Sequence, residues 1–593
     1  MIHFESRIFG ACQKIYMRPS NIFSFFASIL LLICFSSTGS LFAQGRNEKI
    51  LYNGKIFTAN ANSSVVEAVS ISGDKIVAVG SLASVRGSVS DVAEMIDLKG
   101  KTLLPGLIDS HNHAIGGGES LMIATLNDVL LKKDELAKFA KQAFDTKKGL
   151  RGDVLFIGGV HSGTWAAVQD LIDLFNKPPF DSHGVVLRGS DKHTAWANTV
   201  VLKRAGINAQ FIRGLSAEEK KYFGVKQNDE PNGLISEKGY RKVDEILPAN
   251  PIRPLDALEK GAQYLNSLGI TAWMDPSAGN VEDGDNNSHL EVYNTLLAQK
   301  KLNAHVAAVI VANANDDPAP QVEVVKKLQK RYKNVTDLRV LGFKIFADGV
   351  LEYPTQTAAV SIPYTNSGQN GSLMFEPAKF NVFAALADKE GLMIHVHAIG
   401  DRAVTETLNG FAYARQANGN AEIAHSITHL QIVVPSDFKR FTHLKVIPSM
   451  QLLWATADVY VVDLVKPYID PSLYRRQYPA MSLLRAGAKV AGASDWPVSS
   501  ANPFEAIHMG ETRTGQKGVL EATEAMGRVD LLKAYTINAA KVLMMEKSIG
   551  SIEPGKQADF VLVDRDVLKV PSEEVKKTSV LWTMYAGKIV YSK

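Results

Sequence analysis

Short, nearly unbroken apolar runs recur along the middle of the chain: GVVLRG, ITAWMD, RVLGFKIFADG, GLMIHVHA and AKVAGASDWP. Between them lie stretches with apolar residues at helical spacing, such as PLDALEKGAQYLNSLG and KFNVFAALADKEG. A strand that is apolar on both faces must be covered on both faces, as in a parallel sheet flanked by helices. Strand then helix, repeated from about Leu104 to Met545, predicts an α/β protein. The commonest closed form of such units is a (β/α)8 barrel of the TIM type. The step from Asn127 to Pro251 is too long for one unit and predicts a lid-like insertion.

The two ends read differently. KILYNGKIFTAN, AVSISGDKIVAVGS and AEMIDLKGKTLLPG are short strands, with Asn53-Gly54 and Gly73-Asp74 as hairpin turns. GSIEPGKQADFVLVD and VLWTMYAGKIVYSK repeat that texture at the C-terminus, with a turn at Ala586-Gly587. The expected plan is therefore a barrel over residues 105–545. Residues 44–104 and 546–593 together are expected to build one small β-sandwich domain.

The first residues stand apart from both patterns. Scattered basic residues, an apolar core from Ile22 to Phe35 and the small residues ending at Ala43 form a secretory signal pattern over residues 1–43. Met17 is an alternative start, and an uncleaved membrane anchor is the rival reading. Both cysteines, Cys12 and Cys34, fall in this segment. A mature chain beginning near Gln44 is then periplasmic or secreted, has no stable membrane association, and holds no disulfide or thiolate metal ligand. A net charge of +4 over 593 residues, with no basic run interleaved with aromatics, does not suggest a dedicated nucleic-acid binder. The expected partner is a small molecule; a homo-oligomer is left open.

The chemistry gathers at strand ends, where a barrel places its active site. LLPGLIDSHNHAIGGG sends an apolar strand into His111 and His113, which share a face if the strand continues. Lys344 lies inside VLGFKIFADGV. His395 and His397 lie in GLMIHVHAIGDRAV, His425 and His429 in AHSITHLQIV, and Asp495 closes AKVAGASD. One histidine at a strand end is ordinary core. Five strand ends carrying such residues point to one site.

As a set, HNH, Lys344, HAIGDRA, HLQ and GASDWPV resemble the metal-dependent amidohydrolase superfamily. GSDKHTAWANTVVL, KIFADGV, GSIEPGKQADFVLVD and TINAAKVL are similar to its amidohydrolase-3 branch, which includes enzymes like N-substituted formamide deformylase. The resemblance covers Lys49 to Lys593. It implies a distorted barrel with a β-sandwich and one or two divalent metals, usually zinc. It implies His111, His113, His397, His429 and Asp495 as ligands, with Lys344 either carboxylated and bridging two metals or unmodified beside one. His395 is expected behind His397 as core or support.

A metal-dependent hydrolase of a non-peptide C–N bond follows from that resemblance, with Asp495 moving the proton. A deaminase, an ester or lactone hydrolase, and a non-catalytic binding protein are the rivals. His193, in DKHTAWAN, is expected either to hold the oxyanion or substrate or to be structural in a helix-starting loop. FIGGVHSGTW departs from relatives, so His161 and Trp165 are expected to line the pocket. Arg513 is expected to be exposed, with pairing to a substrate carboxylate as the alternative.

Overall fold

The computed structural model describes residues 47–419 and 423–593; the expected signal segment and both cysteines lie outside the described residues. Eight parallel strands form one sheet in strict chain order. They are β1 (Leu107–Asp109), β2 (Ile270–Asp275), β3 (His305–Val311), β4 (Leu338–Phe346), β5 (Met393–Ala398), β6 (Ser426–His429), β7 (Ile447–Met450) and β8 (Ala491–Gly492). The ends of β1 and β8 are joined by hydrogen bonds rather than a ladder. Ser110 N–H and its hydroxyl donate to Gly492 O at 3.1 and 2.8 Å, and Asp495 N–H donates to His111 O at 2.9 Å. The result is a nearly closed barrel.

Helices such as Pro254–Ser267, Pro318–Tyr332 and Pro377–Lys389 cover the outside. Every residue of β2 and β5 is buried, which is why those strands read as unbroken apolar runs. Inside, Ile108, Met274, Val309, Leu341 and Met393 pack in layers against Ala539, Val542, Leu543 and Ile549, which plug the lower mouth.

One irregularity in β4 decides the chemistry above it. Val340 packs outward and Leu341 inward; Phe343 and Ile345 then face outward again. A bulge at Gly342, opposite the Ala308–Val309 step, inserts the extra residue. Strict alternation from Leu341 would send Lys344 outward; the bulge turns it into the barrel. A Cβ at residue 342 would lie 2.0 Å from Met393 O, so the bulge needs glycine.

Both chain ends share a sheet, because Phe560–Val563 pairs antiparallel with Thr102–Pro105. A second sheet of four strands from residues 48–97 packs over it across Leu51, Val69, Ile71, Leu103 and Phe560. The long step between β1 and β2 builds its own six-stranded sheet, from Leu150–Arg151 to Pro231–Ser236. Among the described residues no helix is long and apolar enough to cross a membrane.

Two expectations change here. Arg513 is 1% exposed. Its guanidinium donates to the carbonyls of Leu520, Tyr478 and Gln477 at 2.6–3.1 Å, so it is a buried brace. Trp165 is 2% exposed and packs with Leu155, Phe175 and Trp196 in the core of the inserted sheet, away from the pocket.

Candidate metal centre

A cavity of about 1000 Å3 opens at the C-terminal ends of the barrel strands. His111 and His113 line it, though strand β1 has already ended at Asp109. Strand alternation is therefore not what brings them together. Asp109 does so: its Oδ1 accepts the N–H groups of His111 and Ser494, and its Oδ2 accepts from Asn112 Nδ2 and Ser494 Oγ. One carboxylate thus ties the loop after β1 to the loop after β8. Burial pushes Asp109 up to about 6, against four hydrogen bonds that lower it. The Asp in DSHNH was the available signal, and the sequence reading passed over it.

Asp495, at φ 57°, is aimed at the same point. Its Oδ1 lies 3.3 Å from His111 Nε2 and 3.2 Å from His113 Nε2. The three donor atoms fall within 4.8 Å of one another. Yet Asp495 Oδ1 is buried and receives no hydrogen bond. A buried carboxylate oxygen without a donor is costly unless a cation faces it. Burial holds the His111 imidazole down to about 3, with Lys344 adding to that, so its ring is neutral and free to ligate. The donor set fits a divalent metal ion.

His397 and His429 form the other side, with ring centroids 4.4 Å apart. His397 Nε2 is 3.0 Å from Gly349 O, and His429 Nδ1 is 3.0 Å from Gln451 Oε1 and 4.0 Å from Asp495 Oδ2. Burial lowers both imidazoles well below the usual range. His395 sits one layer down: its Nε2 is 2.7 Å from His111 Nδ1, and its Nδ1 meets Ser426 Oγ. His425 is farther out still, bonded to Asp388 and to Ile394 N–H.

Lys344 is 2% exposed, lines the cavity, and places its ammonium 4.9 Å from the Phe346 ring centroid. Among the described residues nothing hydrogen-bonds its Nζ. Burial pushes its amine down to about 7, with Asp495 partly opposing. Asp348 does not pair with it; that carboxylate accepts the N–H groups of Ala359, Ile399 and Gly400.

The inserted sheet supplies the remaining wall. His193 lies in the hairpin turn between Gly184–Gly189 and Thr194–Ala197, not at a helix start. Its ring is 5.3 Å from that of His397, and its Nδ1 is 3.0 Å from Glu237 Oε2. Burial opposes a charge on His193, but the Glu237 carboxylate outweighs it and pushes the imidazole up to about 9. Glu237 and Asp275 were not singled out in the sequence. Asp275, at the end of β2, is bonded to His289 at 3.0 Å and Tyr293 at 2.6 Å and held down to about 2 although burial raises it. His161, expected in the pocket wall, does not line the cavity; its ring lies tilted against that of Tyr460, which does, with centroids 4.4 Å apart.

Residues 94–591 match the family model described as amidohydrolase family. The chain belongs to the amidohydrolase family. Among curated proteins, this amidohydrolase is 28% identical to Protein LONG AFTER FAR-RED 3 of Arabidopsis thaliana, over 91% of each chain. It is 23% identical to N-substituted formamide deformylase of Arthrobacter pascens, over 92% of this chain and 98% of that one. Among solved structures, an uncharacterized metal-dependent hydrolase from Pyrococcus horikoshii shares its fold at a TM-score of 0.66 and 23% identity, covering 89% of this chain and 99% of that one. The amidohydrolase is thus a hydrolase that acts on carbon–nitrogen bonds.

Proposed function

We propose that the amidohydrolase is a zinc-dependent hydrolase of small amides or formamides, exported across the inner membrane. The observation that carries the reading is Asp495 Oδ1, buried and without a donor between His111 and His113. His111, His113 and Asp495 would hold one ion, with His397 and His429 beside it. A divalent ion bound there supplies Lewis acidity, polarising a carbonyl and acidifying water. Asp495 accepts the proton of the attacking water and returns it to the leaving amine. His193, kept charged by Glu237, donates from its ring to the developing oxyanion. The cavity walls exclude bulk water and orient the substrate.

We extend the reading to Lys344. With its amine held down to about 7, Lys344 offers neutral nitrogen near neutral pH; that nitrogen would bond the carbon of carbon dioxide and release a proton to solvent, leaving a carbamate anion with two oxygens. That carbamate would bridge two ions between the His111/His113 pair and the His397/His429 pair. Metal analysis of purified protein, with and without bicarbonate, tests it: two ions per chain are expected, and one in Lys344→Ala. One ion in both proteins overturns the bridge. A screen of formamides, N-acyl amines, ureas, imides and esters tests the substrate class; turnover of esters alone would refute the C–N reading. Export is tested by N-terminal sequencing of protein from the native envelope. Residues near Gln44 are expected, and intact Met1 or Met17 would overturn it.

A further inference from the structure

The hairpin that delivers His193 also carries Lys192, and three observations set this lysine apart. First, Lys192 has φ 62°, in the left-handed region. The turn demands it: Lys192 N–H donates to Gly189 O, while Asp191 Oδ1 accepts the N–H groups of His193 and Thr194. Glycine, asparagine or aspartate relaxes at such a position, whereas a lysine Cβ is strained there. Second, Lys192 lines the cavity and lies within electrostatic reach of Asp495. Third, its ammonium has no hydrogen bond or ion pair among the described residues. The acids around it are engaged elsewhere. Glu119 is paired with Arg151 at 2.8 Å, Asp191 caps the turn, and Asp495 faces the histidines.

The Lys192 side chain is exposed on the cavity wall, and an ammonium there with no ion-pair partner is free to meet an incoming anion. We infer that Lys192 is a specificity-determining residue that binds a carboxylate carried by the substrate a short distance from the scissile amide. This rests on the C–N hydrolase reading and narrows its substrate to acidic amides. Asp128, Glu352 and Asp458 line the same wall, but burial raises all three carboxyls, so the negative charge meeting an incoming anion is reduced.

The test uses matched pairs that differ by one carboxylate: N-formylglycine against N-formylethylamine, and N-acetylglycine against N-acetylethylamine. The measured quantity is the ratio of kcat/KM within each pair. The wild type should favour the acid about tenfold or more, mostly through KM, as a charge-assisted hydrogen bond does. Lys192→Met should collapse that ratio and Lys192→Arg should retain most of it. Lys192→Gly should collapse it while melting at a higher temperature than wild type, because glycine adopts this φ freely. Binding of N-formylglycine by calorimetry should weaken in Lys192→Met.

An unchanged ratio in Lys192→Met overturns the inference. Hydrolysis of the neutral amides with no preference for acids in the wild type overturns it and leaves the C–N reading standing. If no amide is hydrolysed, yet Lys192→Met weakens N-formylglycine binding, the C–N reading falls and the anion site stands.

Discussion

His305 opens strand β3 at the barrel's lower end, far from the metal centre, and is clamped by two acids. Its Nδ1 is 2.6 Å from Asp337 Oδ1 and its Nε2 is 2.9 Å from Asp559 Oδ2. Asp559 directly precedes the sandwich strand Phe560–Val563 and accepts Ala586 N–H, so the charge joins barrel to sandwich. Burial disfavours the imidazolium, but Asp559 first and Asp337 next outweigh it and raise the ring from 6.5 to about 9. Such a shift is worth about 3 kcal/mol of folding stability.

The sign follows from the raised value. In the unfolded chain the ring loses its proton near pH 6.5; in the folded chain it keeps it to about 9. The stabilisation is complete below pH 6.5 and drains away as pH rises through 9. His305→Gln removes the titrating group and leaves two acids, one of them buried, without their cation. At pH 6.5 the variant should be less stable by ~3–5 kcal/mol, the range for a broken buried pair. Melting temperatures read at half-unit steps from pH 6 to 10, by circular dichroism, measure the gap between the proteins. At roughly 1 °C per kcal/mol for a chain this long, the gap should be several degrees at pH 6.5 and shrink by about 3 °C by pH 9.5. Parallel curves across that window would refute the claim that the two acids hold a charge on His305.

Asp495→Asn should lower turnover by ~10² or more, the range for a lost general base. Metal content is measured alongside, and near-normal turnover at full occupancy would remove Asp495 from proton transfer. Glu237→Gln removes the carboxylate that does most to keep His193 charged, and burial then lowers the ring from about 9. The alkaline limb of kcat/KM should move down from about 9, so activity is lost first at alkaline pH and persists at acid pH; an unmoved limb means that His193 does not act as a cation.

Much of this was legible in one dimension. Strands buried on both faces must be apolar throughout, so ITAWMD and GLMIHVHA announced a parallel sheet under helices. Turn chemistry at Asn53-Gly54 and Ala586-Gly587 marked the hairpins of the two ends, where Ala586 and Gly587 do have positive φ. The polar residues closing those strands had to meet at one face, because parallel strands all end at the same side of a barrel. His111, His113 and Asp495 come together as that logic requires.

The rest needed contacts between residues far apart in the chain. His111 and His113 converge because Asp109 binds a loop 385 positions away, not because a strand alternates. Arg513 is buried because three carbonyls from distant segments meet its guanidinium; a lone arginine in GETRTG carries no sign of them. Glu237 charges His193 across 44 residues. Lys344 is the sharpest case. Its residue type and its strand could be read from the chain, but its direction depends on a bulge at Gly342. That bulge needs glycine, because the Met393 backbone of strand β5 lies too close for any side chain. Composition and periodicity report what a residue prefers on average; the sequence by itself determined the strands, their burial and the residue types at their ends. Which way a polar side chain turns, and which charge it meets there, belongs to neighbours that only the folded chain brings near.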